Sequence, residues 1–116
     1  MIRTILVDDE EKYIDSHRSI LEANGSFQII ASFTNSMTAL DTIPSVKPDL
    51  CCFDVMMPYL DGVALSMELQ KILPDIKIVL ISSANLGFLP LKEMGILGII
   101  SKPFTSEKVQ VLLDLL

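Results

Sequence analysis

The sequence predicts an α/β domain in which five parallel strands form one doubly wound sheet with helices on both faces. Short, continuously apolar runs alternate along the chain with stretches whose apolar residues recur every three or four positions. The continuous runs indicate strands buried on both faces, which are typical of parallel sheets covered by crossover helices. A length of 116 residues suits one hydrophobic core, so we expect residues 1–116 to form a single domain.

The first strand is predicted at residues 4–7, Thr-Ile-Leu-Val, and an amphipathic helix follows it. The apolar stripe of this helix comprises Tyr13, Ile14, His17, Ile20 and Leu21. Asn24-Gly25 is expected to end the helix, because glycine adopts left-handed backbone angles without strain.

The second strand is predicted at residues 27–33, and Asn35 or Ser36 can cap the helix after it. The expected buried stripe of the second helix comprises Met37, Leu40 and Ile43. Pro44 is expected to stop this helix, since proline has no N–H to donate and clashes with the preceding turn.

The third strand, at residues 50–53, ends unusually in a carboxylate, Asp54. A helix at residues 62–73 follows and is ended by Pro74. Asp54 is either a cap for the turn after the strand or a group placed there for chemistry.

The fourth strand is predicted at residues 77–82, with Ile76 as an alternative start, and the fifth at residues 98–101. Thr105 can cap a final helix. The apolar stripe of that helix comprises Val109, Leu112, Leu113 and Leu116.

The fourth crossover fits a helix poorly, because it contains Gly87 and Pro90. Proline suits the first turn of a helix and breaks its interior. We therefore expect a short helix at about residues 90–94, preceded by an irregular loop.

Composition excludes several classes of protein. The net charge of −6 argues against nucleic-acid binding by this segment, and no apolar run is long enough to cross a membrane. The acidic start does not resemble a signal peptide. The adjacent Cys51 and Cys52 should point to opposite faces of a strand and be buried, inert thiols, which fits a reducing cytoplasm.

Polar residues follow four of the strands at their carboxyl ends, which meet at one edge of a parallel sheet. These residues are Asp8, Asp9, Asp54, Ser82 and Lys102. Carboxylates this close repel each other, and a divalent cation such as Mg²⁺, which prefers oxygen ligands, removes the conflict. Held between a cation and an ammonium group, Asp54 can act as an oxygen nucleophile toward phosphorus. Taken alone, Asp8 and Asp9 could instead be caps of the first helix.

The blocks ILVDDEE, DVMMPYLDG, IVLISSA and SKPF resemble, in order and approximate spacing, those of the receiver domain of bacterial two-component response regulators. The resemblance covers essentially the whole chain and implies a flavodoxin-like strand order, 2-1-3-4-5. It implies that Asp54 accepts a phosphoryl group from a phosphohistidine of a sensor histidine kinase. It further implies that Asp9, Asp54 and the backbone carbonyl of Met56 bind Mg²⁺ directly, while Asp8 acts through water.

The resemblance also assigns Ser82 as the switch hydroxyl and Lys102 as the ion-pair partner of Asp54 or its phosphate. Pro103 should follow a cis peptide bond. The sequence departs from the family at Ile99, where an aromatic residue is usual, and in a slightly short interval between Ser82 and Lys102. We therefore expect signalling through an altered or partly flexible output face.

The expected function is a cytoplasmic switch that catalyses only its own phosphorylation and dephosphorylation. The segment is expected to come from a longer regulator with a C-terminal effector domain, for example one that regulates transcription, and it could form a homodimer on phosphorylation. One alternative is a small Mg²⁺-dependent aspartyl-phosphate phosphatase or flavodoxin-like enzyme, which would want a second acid where Met56 stands. Another is a pseudo-receiver that only binds partners, an alternative that Ile99 leaves open. His17 is expected to pack rather than to carry phosphate.

Overall fold

A computed structural model describes residues 1–116 as a five-stranded parallel sheet of order β2-β1-β3-β4-β5 with four helices. The strands are β1 (Ile2–Val7), β2 (Phe27–Phe33), β3 (Leu50–Asp54), β4 (Ile78–Ser82) and β5 (Gly98–Ser101). The helices are α1 (Glu11–Asn24), α2 (Ser36–Val46), α3 (Gly62–Ile72) and α4 (Lys108–Leu115). The predicted fold class and strand order are confirmed. None of the four helices could cross a membrane, since none is both long and apolar enough.

The sheet separates two hydrophobic cores. Helices α2 and α3 cover one face and α1 and α4 the other. Cys51 belongs to the core under α2 and α3, and Cys52 to the core under α1 and α4, as expected for neighbours on a strand. Burial raises the pKa of the Cys52 thiol to about 12 and that of Cys51 well above its usual value. Both cysteines are free and buried, as predicted.

Helix α2 begins as predicted but differs from its prediction in its buried stripe and at its C-terminal end. Asn35 caps it, with Oδ1 accepting the N–H groups of Met37 and Thr38 at 2.8 and 3.2 Å. Met37 is 44% exposed, so the predicted stripe is wrong there. The buried residues of the helix are Ser36, Ala39 and Ile43. Pro44 does not stop α2, which runs on to Val46, because a proline in the last turn removes only one late hydrogen bond.

The fourth crossover contains turns where a short helix was expected. Within it the N–H of Met94 donates to Pro90 O at 3.1 Å, a single helical turn that does not continue. The N–H of Gly95 bonds Lys92 O, and Gly95 then takes a positive φ of 71°, which ends the turn. The irregularity of this crossover was predicted, whereas its helix at residues 90–94 was not correct.

The final helix begins later than predicted. Glu107 is the residue before α4, and no side chain caps the helix there. Thr105 instead accepts the N–H of Lys108 through its backbone carbonyl at 3.0 Å. The side chain of Lys108 also stabilises the loop from β5 to α4. Its Nζ donates to Ser101 O, Ser101 Oγ and Pro103 O at 2.8, 3.0 and 2.8 Å.

Candidate functional site

Parallel register brings the predicted strand ends together. Val7 of β1 pairs with Phe53 of β3, and Asp54 pairs with Ile81 of β4. The residues that follow these pairs, Asp8 and Ser82, therefore lie on either side of Asp54 at one edge of the sheet. This placement is the one that the sequence predicts.

Three carboxylates converge at this edge. Asp8, Asp9 and Asp54 each offer one oxygen, and these oxygens all lie within 4.8 Å of one another. Asp8 and Asp54 are 2% and 7% exposed, whereas Asp9 is exposed. Burial raises the pKa of Asp54, and the charge of Asp8 raises it further, so the ionised cluster is costly without a cation. Three hard oxygen donors, one of them open to solvent, fit a divalent cation such as Mg²⁺.

Lys102 partly balances these charges. Its Nζ lies 3.1 Å from Asp8 Oδ2 and 3.1 Å from Asp54 Oδ1, and its side chain is 11% exposed. Burial alone lowers the pKa of Lys102, but hydrogen bonds to Asp8 and Asp54 outweigh it and raise the pKa overall. The ammonium form is therefore the one that faces both acids. The peptide bond to Pro103 is cis, as expected.

Ser82 ends β4 beside the acids and is 1% exposed. Its Oγ accepts the N–H of Ala84 at 3.0 Å, a bond that leaves the hydroxyl proton free to be donated. Its carbonyl accepts the N–H of Lys102 at 2.9 Å, so the backbones of Ser82 and Lys102 are joined.

Asp8 also contacts the backbone before α1, but it is not the helix cap, because Glu10 precedes the helix and no side chain caps it. Its Oδ1 accepts the N–H of Glu10 at 2.9 Å, immediately before α1 begins, while its Oδ2 contacts Lys102. Asp8 therefore organises the start of α1 and contributes charge to the site at the same time.

The loop from β3 to α3 carries the Met56 carbonyl and is closely packed at its far end. Gly62 lies so near the end of β3 that a Cβ there would overlap the Asp54 carbonyl oxygen. The N–H of Gly62 donates to Val55 O at 2.9 Å, and Asp61 caps α3 by accepting the N–H of Ala64 at 2.8 Å. The Asp-Gly pair thus fixes α3 against the strand that presents Asp54.

Ser36 has a role in this loop that the sequence pattern does not indicate. The Ser36 hydroxyl donates to Pro58 O and accepts the N–H of Leu60, both at 3.1 Å. These bonds flank Tyr59, which has a φ of 69° and is 81% exposed. Ser36 was considered only as a helix cap, and nothing in the local sequence indicates a partner more than twenty residues away.

Tyr13 was also missed as a site residue. It was placed on the apolar stripe of α1, but its ring centroid lies 3.9 Å from Lys102 Nζ. An aromatic residue four positions after Asp9, in the first turn of α1, was the available signal. His17 is 4% exposed and packs between Tyr13 and Phe104, which agrees with the structural role expected for it.

Ile99, at which the sequence departs from the pattern that it otherwise resembles, lies half-buried in β5. It lines a cavity of about 520 Å³ between β5 and the fourth crossover. The other residues that line it are Ser83, Ala84, Asn85, Leu86, Gly87, Leu91 and Ser101.

Known proteins resemble this chain in sequence and in fold. The family model described as "Response regulator receiver domain" matches residues 4–114. A protein-glutamate methylesterase/protein-glutamine glutaminase of Sulfurimonas denitrificans is 29% identical over 90% of this chain and 31% of its own length. A probable C4-dicarboxylate response regulator, DctR, of Halalkalibacterium halodurans is 24% identical over 97% of this chain and 50% of its own length. The chain thus spans half or less of the length of these curated relatives.

Solved structures share the fold. The CheX–CheY–BeF3–Mg complex of Borrelia burgdorferi matches with a TM-score of 0.88 at 20% identity, over 97% of this chain and 86% of the other. The signal receiver domain of the NarL response regulator of Mycobacterium tuberculosis matches with a TM-score of 0.84 at 23% identity, over 97% and 94% of the two chains. With the family model covering nearly all residues, the chain belongs to the response regulator receiver domain family.

Proposed function

We propose that this domain is a phosphorylation-controlled switch in which Asp54 accepts a phosphoryl group from a phosphohistidine of a sensor histidine kinase. The observation that carries the proposal is the meeting of Asp8, Asp9 and Asp54, with oxygens within 4.8 Å of one another, beside the Lys102 ammonium. Family membership supports the role, and the near-complete burial of Asp54 supplies a low-dielectric setting in which charges act strongly.

The proposed cofactor is Mg²⁺. Asp9, Asp54 and the backbone carbonyl of Met56 would hold the ion directly, and Asp8 would act through water. When bound, the ion would neutralise part of the negative charge of the carboxylates and of the incoming phosphoryl oxygens. The donor set supports this choice, because it consists only of hard oxygens and leaves positions for water and phosphate.

In the proposed reaction, a carboxylate oxygen of Asp54 attacks phosphorus. The P–O bond forms as the P–N bond of the phosphohistidine breaks, and the bonding electron pair leaves with the imidazole. Lys102 remains an ammonium group and shifts its hydrogen bonds to the phosphoryl oxygens. Ser82 donates its hydroxyl proton in a hydrogen bond to another of these oxygens, which biases the fold toward a second conformation.

The output lies beyond this domain in our proposal. Curated relatives are two to three times longer than the matched segment, and one is named as a response regulator. We infer that residues 1–116 form the receiver domain of a longer cytoplasmic regulator, with an effector domain such as a transcription regulator as its partner. The domain would catalyse only its own phosphorylation and dephosphorylation, and phosphorylation could also promote a homodimer. Neither the phosphatase nor the pseudo-receiver alternative is favoured by the comparisons.

Replacing the acceptor tests the proposal. Asp54→Asn should abolish the hydroxylamine-labile phosphate that the wild-type domain gains from acetyl phosphate and Mg²⁺, because an amide oxygen does not serve as the nucleophile. Phosphate is measured by the mass of the intact protein before and after hydroxylamine treatment, which cleaves acyl phosphates.

Asp61→Asn is the matched control, because it makes the same change seven positions along the same motif. Asparagine caps helices as well as aspartate does, so this variant should be labelled like the wild type. Undiminished labelling of Asp54→Asn would remove Asp54 from the acceptor role.

A further inference from the structure

The Lys102 ammonium contacts an aromatic ring in addition to two carboxylates. An ammonium group has three N–H donors, and Lys102 directs two contacts to Asp8 and Asp54 at 3.1 Å each. The Tyr13 ring centroid lies 3.9 Å from Nζ, within the range of a cation–π contact. Tyr13 therefore completes a three-sided enclosure of the charge.

A second cation near the same ring is the weaker competitor. Lys12 Nζ lies 5.2 Å from the Tyr13 centroid, with a side chain that is 72% exposed and paired with Glu10 at 3.2 Å. Water and Glu10 screen this charge, whereas Lys102 is nearer and largely desolvated. The contact of Tyr13 with Lys102 is the one that matters energetically.

The position of the ring is fixed relative to the backbone of Lys102. Tyr13 stacks on His17 with centroids 6.1 Å apart and an interplanar angle of 30°. His17 meets Phe104 edge-on at 5.5 Å and 76°, and Phe104 is 5% exposed. Phe104 follows Lys102 by two residues. The contacts of Phe104 with His17 and of His17 with Tyr13 therefore connect the backbone near Lys102 to the Tyr13 ring that faces the Lys102 ammonium.

We propose that Tyr13 is a positioning residue for phosphoryl transfer, whose ring holds the Lys102 ammonium at Asp54 and keeps water from its open side. This inference rests on the proposed function of Asp54. A lysine has a flexible four-carbon stem, so an unrestrained ammonium would spend much of its time away from the acceptor. By restricting it before the phosphodonor arrives, Tyr13 lowers the cost of ordering the transition state.

Two substitutions distinguish the contribution of the Tyr13 ring from that of the Tyr13 hydroxyl. Tyr13→Leu removes the π face while keeping an apolar side chain, and Tyr13→Phe keeps the face. The initial rate of phosphorylation by acetyl phosphate should fall about fivefold in Tyr13→Leu and stay within about twofold of wild type in Tyr13→Phe. A rate in Tyr13→Leu equal to wild type would overturn the proposal, and so would an equal loss in both variants.

A spectroscopic signature shows the contact without any phosphorylation. In the wild type and Tyr13→Phe, the ring should shift the ε-methylene proton resonances of Lys102 upfield, and the shift should vanish in Tyr13→Leu. Unchanged Lys102 resonances in folded Tyr13→Leu would contradict the contact. This readout needs no phosphoryl transfer. It can therefore confirm the contact of Tyr13 with Lys102 even if the labelling of Asp54→Asn disproves the proposed function. A failure of the contact is thus distinguished from a failure of the proposed function.

Lys12→Met is the matched control for the cation. It removes the exposed ammonium near the same ring and should leave both the phosphorylation rate and the Lys102 resonances unchanged. A loss of rate in Lys12→Met as large as that in Tyr13→Leu would show that the ring acts through Lys12, and the proposal would fail.

Discussion

At the scale of single residues, the sequence predicts the site residues whose role follows from their position at the end of a strand. It does not predict the residues whose role depends on contacts with distant parts of the chain. Asp8, Asp54 and Lys102 follow apolar runs, and the strand-end rule brings them together. Tyr13 and Ser36 act through partners far away in the chain, Lys102 and the Pro58–Leu60 backbone. Spacing within a helix gives no information about such contacts.

His17 provides a pH-dependent prediction at this scale. Burial lowers its pKa; the charge of Asp8 opposes this, and that of Lys102 adds to it. In the unfolded chain His17 has its ordinary pKa of about 6.5, so near that pH the unfolded state binds more protons than the folded state, whose His17 pKa is lower. The contribution of His17 to stability is complete above that pH and is lost as pH falls through the lower, folded pKa.

The measurement compares wild type with His17→Leu, which keeps an apolar side chain and removes the titration. Between about pH 7.5 and pH 5, the free energy of unfolding in urea should fall more in the wild type than in the variant. The carboxylates, including Asp54 with its raised pKa, titrate in both proteins, so the difference isolates His17. Parallel pH curves for the two proteins would refute the assignment.

At the scale of elements, strands were easier to predict than helix ends. All five predicted strands are present, and β2 and β5 have the predicted bounds. Two of the errors involve proline: Pro44 is tolerated in the last turn of α2, and Pro90 opens a turn that does not become a helix. Whether a helix continues past such a residue depends on the packing available to it, which local sequence does not contain. Signalling through an altered or partly flexible output face, which was expected from Ile99 and from the short interval between Ser82 and Lys102, remains a prediction.

The junction of β3 and α3 gives the element-scale prediction. Gly62→Ala should lower the free energy of unfolding by about 1–3 kcal/mol, because the added methyl group meets the backbone carbonyl of Asp54 and forces α3 away. Labelling by acetyl phosphate should fall as well, since the strand end that presents Asp54 moves with it.

Gly87→Ala is the corresponding control, measured by the same urea unfolding. Gly87 lies in the fourth crossover with a negative φ, and its added methyl group would meet only the Asn85 side chain at 3.4 Å. Its stability should remain within about 0.5 kcal/mol of wild type. Equal effects of the two substitutions would argue against a special close approach at Gly62.

At the scale of the whole molecule, the sheet concentrates negative charge that the fold itself does not fully balance. The net charge is −6, and three carboxylates share one edge with a single ammonium, Lys102. Stability at neutral pH should therefore be coupled to divalent cations, because an ion that binds only the folded state stabilises it. This coupling connects the fold to the proposed switch.

Calorimetric titration of the folded domain with Mg²⁺ at neutral pH measures this coupling directly. We expect uptake of one ion, abolished in Asp9→Asn, and a gain of about 1.4 kcal/mol in unfolding free energy at tenfold the dissociation constant. Asp15→Asn, an exposed acid on α1, should bind as the wild type does. Folded wild-type protein that takes up no Mg²⁺ and gains no stability from it would refute the claim that these carboxylates are assembled around a cation.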